Sequence, residues 1–217
     1  MYNFIVFSGI DGAGKSTQID LLKDYYIKCG KNVEVIWSRG GYTPGFEKIK
    51  NMLRLSRQTA KKPNEQIENR KNNFRKPIVR KIWLLLAILD LIILYGVIIR
   101  WKTYRGKVII ADRYLADTKI DFELNFPNNQ VSSTLLWKIL EKTAVKSNYK
   151  FLLIIPVDES LRRSKLKNEP FPDNKETLIK RLLHYNSLTK ENYISIDCMQ
   201  SIEDIHELII NNFKIEA

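Results

Sequence analysis

At 217 residues the chain is about one and a half typical domain lengths, enough for one domain with a full hydrophobic core. It is 44% hydrophobic and 28% charged with only 9 Gly and 7 Pro, which excludes a disordered, collagen-like or linker protein. The 36 Lys and Arg against 24 Asp and Glu give a net charge of +12, so nucleic acid, anionic membranes and phosphorylated small molecules are the partners to weigh first.

The expected elements alternate strand and helix. Residues 2–8 are a continuous apolar run of strand length. After a Gly-rich turn, Gln18, Leu21, Leu22, Tyr25 and Tyr26 recur at helix spacing as far as Cys29, with Gly30 placed as a C-cap. Residues 33–37 read as a second strand, 38–45 as a Gly- and Pro-containing loop and 46–57 as a helix. Residues 58–76 form a basic connecting segment without a clear period, and Pro77 then opens a long helix running to about Tyr104, with Gly106 as its break. Residues 108–111 read as a buried strand, 115–124 as a helix and 126–129 as a turn. Ser132 or Ser133 caps a helix ending near Val145, residues 150–157 are a strand and 193–197 a weaker one, and Ser201 with Asp204 makes a capping box for the last helix. Strands separated by helices imply an α/β fold: a five-stranded parallel sheet with helices on both faces, in a single domain over residues 1–217.

Residues 82–99 are almost wholly apolar and about as long as the roughly 18 residues that suggest a membrane span. Asp90 at the centre and basic residues at both ends, Arg80 and Lys81 before and Arg100, Lys102 and Arg105 after, favour a buried core helix instead. Cys29 and Cys198 fit neither a disulfide framework nor a zinc pattern, and the first residues lack the features of a secretory signal, so a cytoplasmic location is expected. Trp37, Trp83, Trp101 and Trp137 read as core or helix-interface residues.

The chemistry begins at Gly9-Ile10-Asp11-Gly12-Ala13-Gly14-Lys15-Ser16, which fits G-x-x-x-x-G-K-[ST] between a strand and a helix. In such a P-loop the glycines turn backbone N–H groups inward and the helix N-terminus adds its positive end, which cradles phosphates. Lys15 would reach the β- and γ-phosphates of ATP, and the Ser16 hydroxyl would bind Mg²⁺. The strand at residues 108–111 runs into Asp112-Arg113-Tyr114. An Asp at the carboxyl end of a parallel strand can hold Mg²⁺ through water, and the neighbouring Arg can clamp a phosphate. A guanine-specifying N-K-x-D does not appear; Asn174-Lys175-Glu176-Thr177 lacks the Asp.

With these motifs the chain resembles the thymidylate kinases and thymidylate-kinase-like nucleoside monophosphate kinases, which implies a P-loop NTPase fold with a mobile lid. The run from Phe7 to Gln18 resembles that family's P-loop, including an acid, here Asp11, that contacts the acceptor's sugar. Ser38 to Gly45 resembles the loop after the second strand, which implies that Arg39 binds the acceptor phosphate, and Asp112-Arg113-Tyr114 matches the family's Asp-Arg-aromatic motif. Asp158 to Arg163 resembles the start of the lid, placed at residues 164–174, which implies that Arg163 packs on adenine. Arg162, Lys165 and Lys167 add cations there, and Arg181 to Tyr185 resembles the following helix. The resemblance implies ATP as donor, Mg²⁺ as cofactor and dTMP as default acceptor. Gly9, Asp11, Gly12, Ala13, Gly14, Lys15, Ser16, Thr17 and Arg163 would bind ATP, and Lys15, Asp112, Arg113 and Arg163 would serve catalysis. Asp11, Arg39 and Arg113 would meet the acceptor, and so would Asp90, because an acid within an apolar helix needs a cationic partner. A homodimer through helix faces is a further implication, which the apolar helix would suit.

Two departures open other readings. No Arg stands anywhere in residues 82–99, where the family's base-recognising Arg falls, and Leu115 to Asp121 replaces the family's Ser and Tyr-Gln pair. A P-loop kinase for a different phosphorylated or hydroxyl-bearing metabolite is therefore the second reading. The third is a nucleotide-dependent protein that docks on nucleic acid or a membrane through residues 50–81, where eleven Lys or Arg face Glu65 and Glu68 and supply nine of the +12. Nucleic acid and peripheral membrane association rank below a small-molecule acceptor.

Overall fold

The computed structural model describes residues 4–38, 77–167, 173–188 and 192–214. The helix expected at 46–57, the basic segment at 58–76, Arg39 and residues 168–172 of the expected lid lie outside them.

Five strands form one sheet in the order β2-β3-β1-β4-β5, every pairing parallel. They are β1 (Phe4–Ser8), β2 (Val33–Trp37), β3 (Val108–Asp112), β4 (Tyr149–Ile154) and β5 (Ile194–Asp197). β1, β3 and the centre of β4 are buried on both faces, which is why they read as unbroken apolar runs and not as alternating ones. Their side chains divide by parity. Ile5, Phe7, Val108 and Ile110 join the core that includes Leu22 of α1 (Lys15–Lys28), Tyr185 of α6 (Lys175–Leu188) and Ile209 of α7 (Ile202–Lys214). Phe4, Val6, Ile109 and Ala111 join the core on the other face, with α2 (Pro77–Tyr104) and α4 (Leu135–Thr143). Helices on both faces are thus as the sequence implies. The remaining described helices are α3 (Leu115–Asn125) and α5 (Val157–Leu166).

Two boundaries and one stretch of helical hydrogen bonding differ from the sequence reading. β4 ends at Ile154, and Val157 opens α5, because Pro156 stands at that helix's N-cap. The cap of α4 is Thr134, whose hydroxyl accepts from the Trp137 N–H at 3.3 Å, while Val131–Ser133 is a 3₁₀ turn. In α2 the hydrogen bonding shifts to π-helical over Ile93–Ile98. That extra residue per turn aims Tyr95 inward; its hydroxyl lies 2.7 Å from Ser38 Oγ and 3.2 Å from Thr118 Oγ1, all three residues being buried. α2 is long and apolar enough to cross a membrane, yet 44% of its most apolar window is buried. Leu84, Ala87, Leu91 and Tyr95 pack in the core, and the opposite face remains exposed. Only one side of this helix is therefore the core helix expected. Of the four tryptophans Trp137 is a core residue, but Trp37 and Trp101 are 48% and 51% exposed.

The strand order sets the site. β1 connects through α1 to β2 beyond β3, whereas the chain after β3 returns to β4 on the other side of β1. A crevice opens at the carboxyl ends where connections diverge in this way, and open α/β sheets bind ligands there. The register puts Asp112 level with Phe7 and Trp37, two residues short of Gly9.

Candidate active site

The loop leaving β1 is fixed by contacts that demand its glycines. Gly9 has φ +140°, and a Cβ there would lie 2.4 Å from the Leu153 carbonyl oxygen of β4, so only glycine fits. Gly14, at φ 88°, is the N-cap of α1 and supplies no side chain to cap it. The first N–H groups of α1 are left facing the cleft, which is what an anion needs. Lys15 is buried, with Nζ donating at 2.9 Å to the carbonyls of Gly9 and of Ile10. Burial, then Arg113, lowers its pKa from 10.5 to about 8.

Asp11, Gly12, Ala13, Gly14, Lys15, Ser16, Asp112 and Arg113 line one cleft of about 120 Å³, together with Trp37 and Lys167. Asp112 holds one carboxylate oxygen, Oδ1, buried with no hydrogen-bond donor among the described residues, and burial raises its pKa. Arg113 adopts a left-handed backbone, φ 74°, a conformation costing on the order of 1–3 kcal/mol for a non-glycine. Its N–H donates to the Phe7 carbonyl at 2.9 Å, and its own carbonyl accepts from Ser38 Oγ at 3.2 Å. These bonds turn the guanidinium back over the loop, where it pairs with Asp11. Burial opposes its charge, but Tyr185, Asp11 and Asp117 more than restore it.

Behind Arg113 lies a network that the motifs did not announce. Asp117, 1% exposed, accepts from Ser8 Oγ at 2.6 Å and the Tyr114 N–H at 3.0 Å through Oδ2, and from the Tyr185 hydroxyl at 2.6 Å through Oδ1. Burial and Asp117 push the Tyr185 phenol well above its usual range, so it remains a donor. One turn on, Asp121 pairs with the buried Arg181, whose Nε donates to Asp173 at 2.6 Å. The spacing of Asp117 and Asp121, four apart on α3, was the available signal, since it puts both carboxylates on one helix face.

Arg163 takes a place other than the cleft wall. Its guanidinium donates to the carbonyls of Gly12 at 3.3 Å and Cys198 at 3.1 Å and to Glu159 at 2.6 Å. Ser160 Oγ donates to the Asp11 carbonyl at 2.7 Å. α5 therefore braces the loop, and among the described residues Lys167, just after α5, is the cation on that side that lines the cleft. Gly9 and Thr17 belong to the loop and to α1 without lining the cleft, and Asp90 is half-buried on α2, also outside the lining.

Comparison with known proteins agrees with this geometry: residues 7–209 match the thymidylate kinase family. The chain belongs to that family. It is 29% identical to a thymidylate kinase of Sulfurihydrogenibium sp. over 97% of its length and 96% of that protein's. It is 32% identical to one of Bartonella henselae over 76% of this chain and 69% of the other. Among solved structures, deoxyadenosine kinase from M. mycoides with bound dATP superposes with a TM-score of 0.60 at 16% identity, covering 97% of this chain and 99% of that one. That likeness establishes the shared P-loop fold. As a member of the thymidylate kinase family the protein is a nucleoside monophosphate kinase with ATP as phosphoryl donor.

Proposed function

We propose that this thymidylate kinase family member transfers the γ-phosphoryl group of ATP to dTMP, with Mg²⁺ as cofactor, in the cleft bounded by Lys15, Ser16, Asp112 and Arg113. The observation that carries the reading is the convergence on one small cleft of a helix N-terminus without a side-chain cap, a buried ammonium, a buried carboxylate oxygen with no donor among the described residues, and a buried guanidinium. Phosphoryl transfer asks the protein for positioning and charge stabilisation more than for covalent chemistry. The N–H groups of residues 12–16 would bind the donor phosphates. Lys15 would exchange its two loop carbonyls for phosphate oxygens, a stronger, charge-assisted bond. Arg113 would hold the acceptor phosphate in line, its orientation secured by Asp11 and Tyr185. Arg163 would act at one remove, by holding Gly12.

The donor set suits a magnesium ion: Ser16 Oγ on the exposed side of α1 and Asp112 Oδ1, a hard oxygen without a partner among the described residues, both line the cleft. When bound, the ion would neutralise phosphate charge. A coupled assay of ATP consumption over a panel of nucleoside monophosphates, with and without Mg²⁺, tests the reading; dTMP should give the largest stimulation and Lys15→Ala none. Stimulation of parent and Lys15→Ala alike by every acceptor would refute it.

A second acceptor class remains in the reading because of Asp117, Asp121 and Arg181. The α3 stretch where the family places its base-contacting Ser and Tyr-Gln here carries carboxylates committed to internal bonds. A non-thymine acceptor outrunning dTMP in the same panel would select it. The match over residues 7–209 supports the enzyme over the nucleic-acid- or membrane-docking alternative, and the cytoplasmic location is retained with it.

We also infer a homodimer. Ile82, Leu85, Leu89, Ile93, Val97 and Trp101, each 41–61% exposed, form a stripe at three- and four-residue spacing along α2, an apolar seam of the kind helices bury against each other. Sedimentation of the parent at about twice the 25.5 kDa chain mass and of Val97→Lys at the single mass is expected; a monomeric parent refutes it.

A further inference from the structure

A second cavity, of about 510 Å³, opens between α3, α6 and the connection from α4 to β4, and none of its lining residues lines the phosphate cleft. Its volume lies within the roughly 300–1,000 Å³ typical of small-molecule sites. The walls are of two kinds. Tyr114, Ile120, Trp137 and Leu188 are buried and make an apolar, largely aromatic base. Around it stand Lys119 and Lys146, both exposed, and Lys150, half-buried with Nζ 5.3 Å from the centre of the Tyr193 ring. Among the described residues no carboxylate lies within ion-pair distance of these three lysines. The two carboxylates of the lining are turned to other groups: Glu141 accepts from Trp137 Nε1 at 2.7 Å, and Glu123 faces His184 at 3.8 Å. An apolar base rimmed by three ammonium groups, none of them ion-paired among the described residues, against two carboxylates suits a ligand with an anionic group on an apolar body.

The cavity is walled by helices that also support the phosphate site. On α3, Ala116, Lys119, Ile120 and Glu123 face the cavity, whereas Asp117 and Asp121 hold Ser8, Tyr185 and Arg181. On α6, His184, Ser187 and Leu188 face the cavity, whereas Arg181 and Tyr185 meet those carboxylates and Tyr185 Oη lies 3.5 Å from Arg113. Tyr114 joins the two, lining the cavity and donating its N–H to Asp117. A ligand that shifts α3 against α6 cannot do so without moving the groups that orient Arg113 and, through Asp11, the P-loop. Discrete packed elements shared between two sites are the physical means of coupling them.

We infer that this cavity is a second ligand site, for a small molecule bearing an anionic group on an apolar body, and that its occupation alters nucleotide binding through α3 and α6. The fluorescent probe anilinonaphthalenesulfonate has that chemistry and serves as test ligand on the full chain. It should bind at one saturable site, persist at saturating ATP, and change the ATP dissociation constant by about fivefold or more. The Lys119→Glu/Lys146→Glu variant should weaken probe binding by about tenfold or more. Ala116→Trp, which fills the cavity and leaves every charge in place, should also remove it, with thermal unfolding confirming that each variant is folded. Phenyl phosphate or benzoate, as displacing ligands, would distinguish a phosphoryl from a carboxyl group; displacement by neither overturns the anion site. Probe binding that survives both variants, or that ATP displaces, overturns the second site. An ATP dissociation constant changed less than twofold overturns the coupling.

Discussion

Lys15→Met removes an ammonium from the floor of the cleft while keeping most of its bulk. Burial first, and Arg113 second, lower the pKa of Lys15 from 10.5 to about 8; at about 1.4 kcal/mol per pH unit, the folded protein carries a penalty of about 3 kcal/mol for holding that charge. Between about pH 8 and 10.5 the folded chain binds fewer protons at this position than the unfolded one, so the parent gains stability as pH rises through the window. Below about pH 8 the lysine is charged in both states and the penalty stands in full. Against it, methionine forfeits the bonds to the Gly9 and Ile10 carbonyls at every pH, about 1 kcal/mol each. The variant should therefore be more stable than the parent by about 1 kcal/mol at pH 7 and less stable by about 2 kcal/mol near pH 10.5. Urea unfolding of both proteins at the two pH values measures the crossover. A stability difference that does not change with pH would refute the buried, strained ammonium. A site that costs the free protein stability in this way holds a charge kept for a ligand.

Other substitutions separate support from chemistry. Arg163→Ala should raise the ATP dissociation constant about tenfold by releasing Gly12, equivalent to about one charge-assisted hydrogen bond, with the acceptor KM little changed; titration calorimetry and steady-state kinetics read the two. Asp117→Ala leaves Ser8, Tyr114 and Tyr185 without their acceptor and should lower stability by about 3 kcal/mol, a fall in Tm of roughly 6–12 °C, seen by calorimetry. Tyr95→Phe keeps the packing and loses the bonds to Ser38 and Thr118. A loss of about 1 kcal/mol by urea unfolding is expected, with a raised acceptor KM because Ser38 no longer fixes the Arg113 carbonyl. Gly9→Ala should fail to give folded protein at growth temperature, since its Cβ would collide with the Leu153 carbonyl; soluble expression with parental Tm would contradict that.

Much of the fold follows from local pattern. The apolar runs at β1, β3 and β4 announced strands covered on both faces because nothing in them alternates, and the P-loop announced itself because a phosphate cradle needs glycine backbone at fixed positions. Asp112-Arg113 was legible for the same reason: a carboxylate and a guanidinium directly after a buried strand have one crevice to face. The end of β4 was not legible, because Ile155, Pro156 and Val157 continue the apolar run, and only the backbone turn at Pro156 divides strand from helix. The Thr134 cap escaped because Ser132, Ser133 and Thr134 are equivalent until a neighbouring N–H selects one.

Sequence by itself determined which groups line the cleft, since Gly12, Gly14, Lys15, Ser16, Asp112 and Arg113 each belong to one loop or one strand end. Tertiary structure decided which groups stand beside it. Trp37 borders the cleft because β2 pairs in register with β3, and Arg163 braces Gly12 because α5 packs beneath the loop across about 150 residues of chain. Asp117, Tyr185 and Arg113 form one network because α3 and α6 meet only in the folded molecule. Such contacts are fixed by packing, and packing leaves no periodic mark in a sequence.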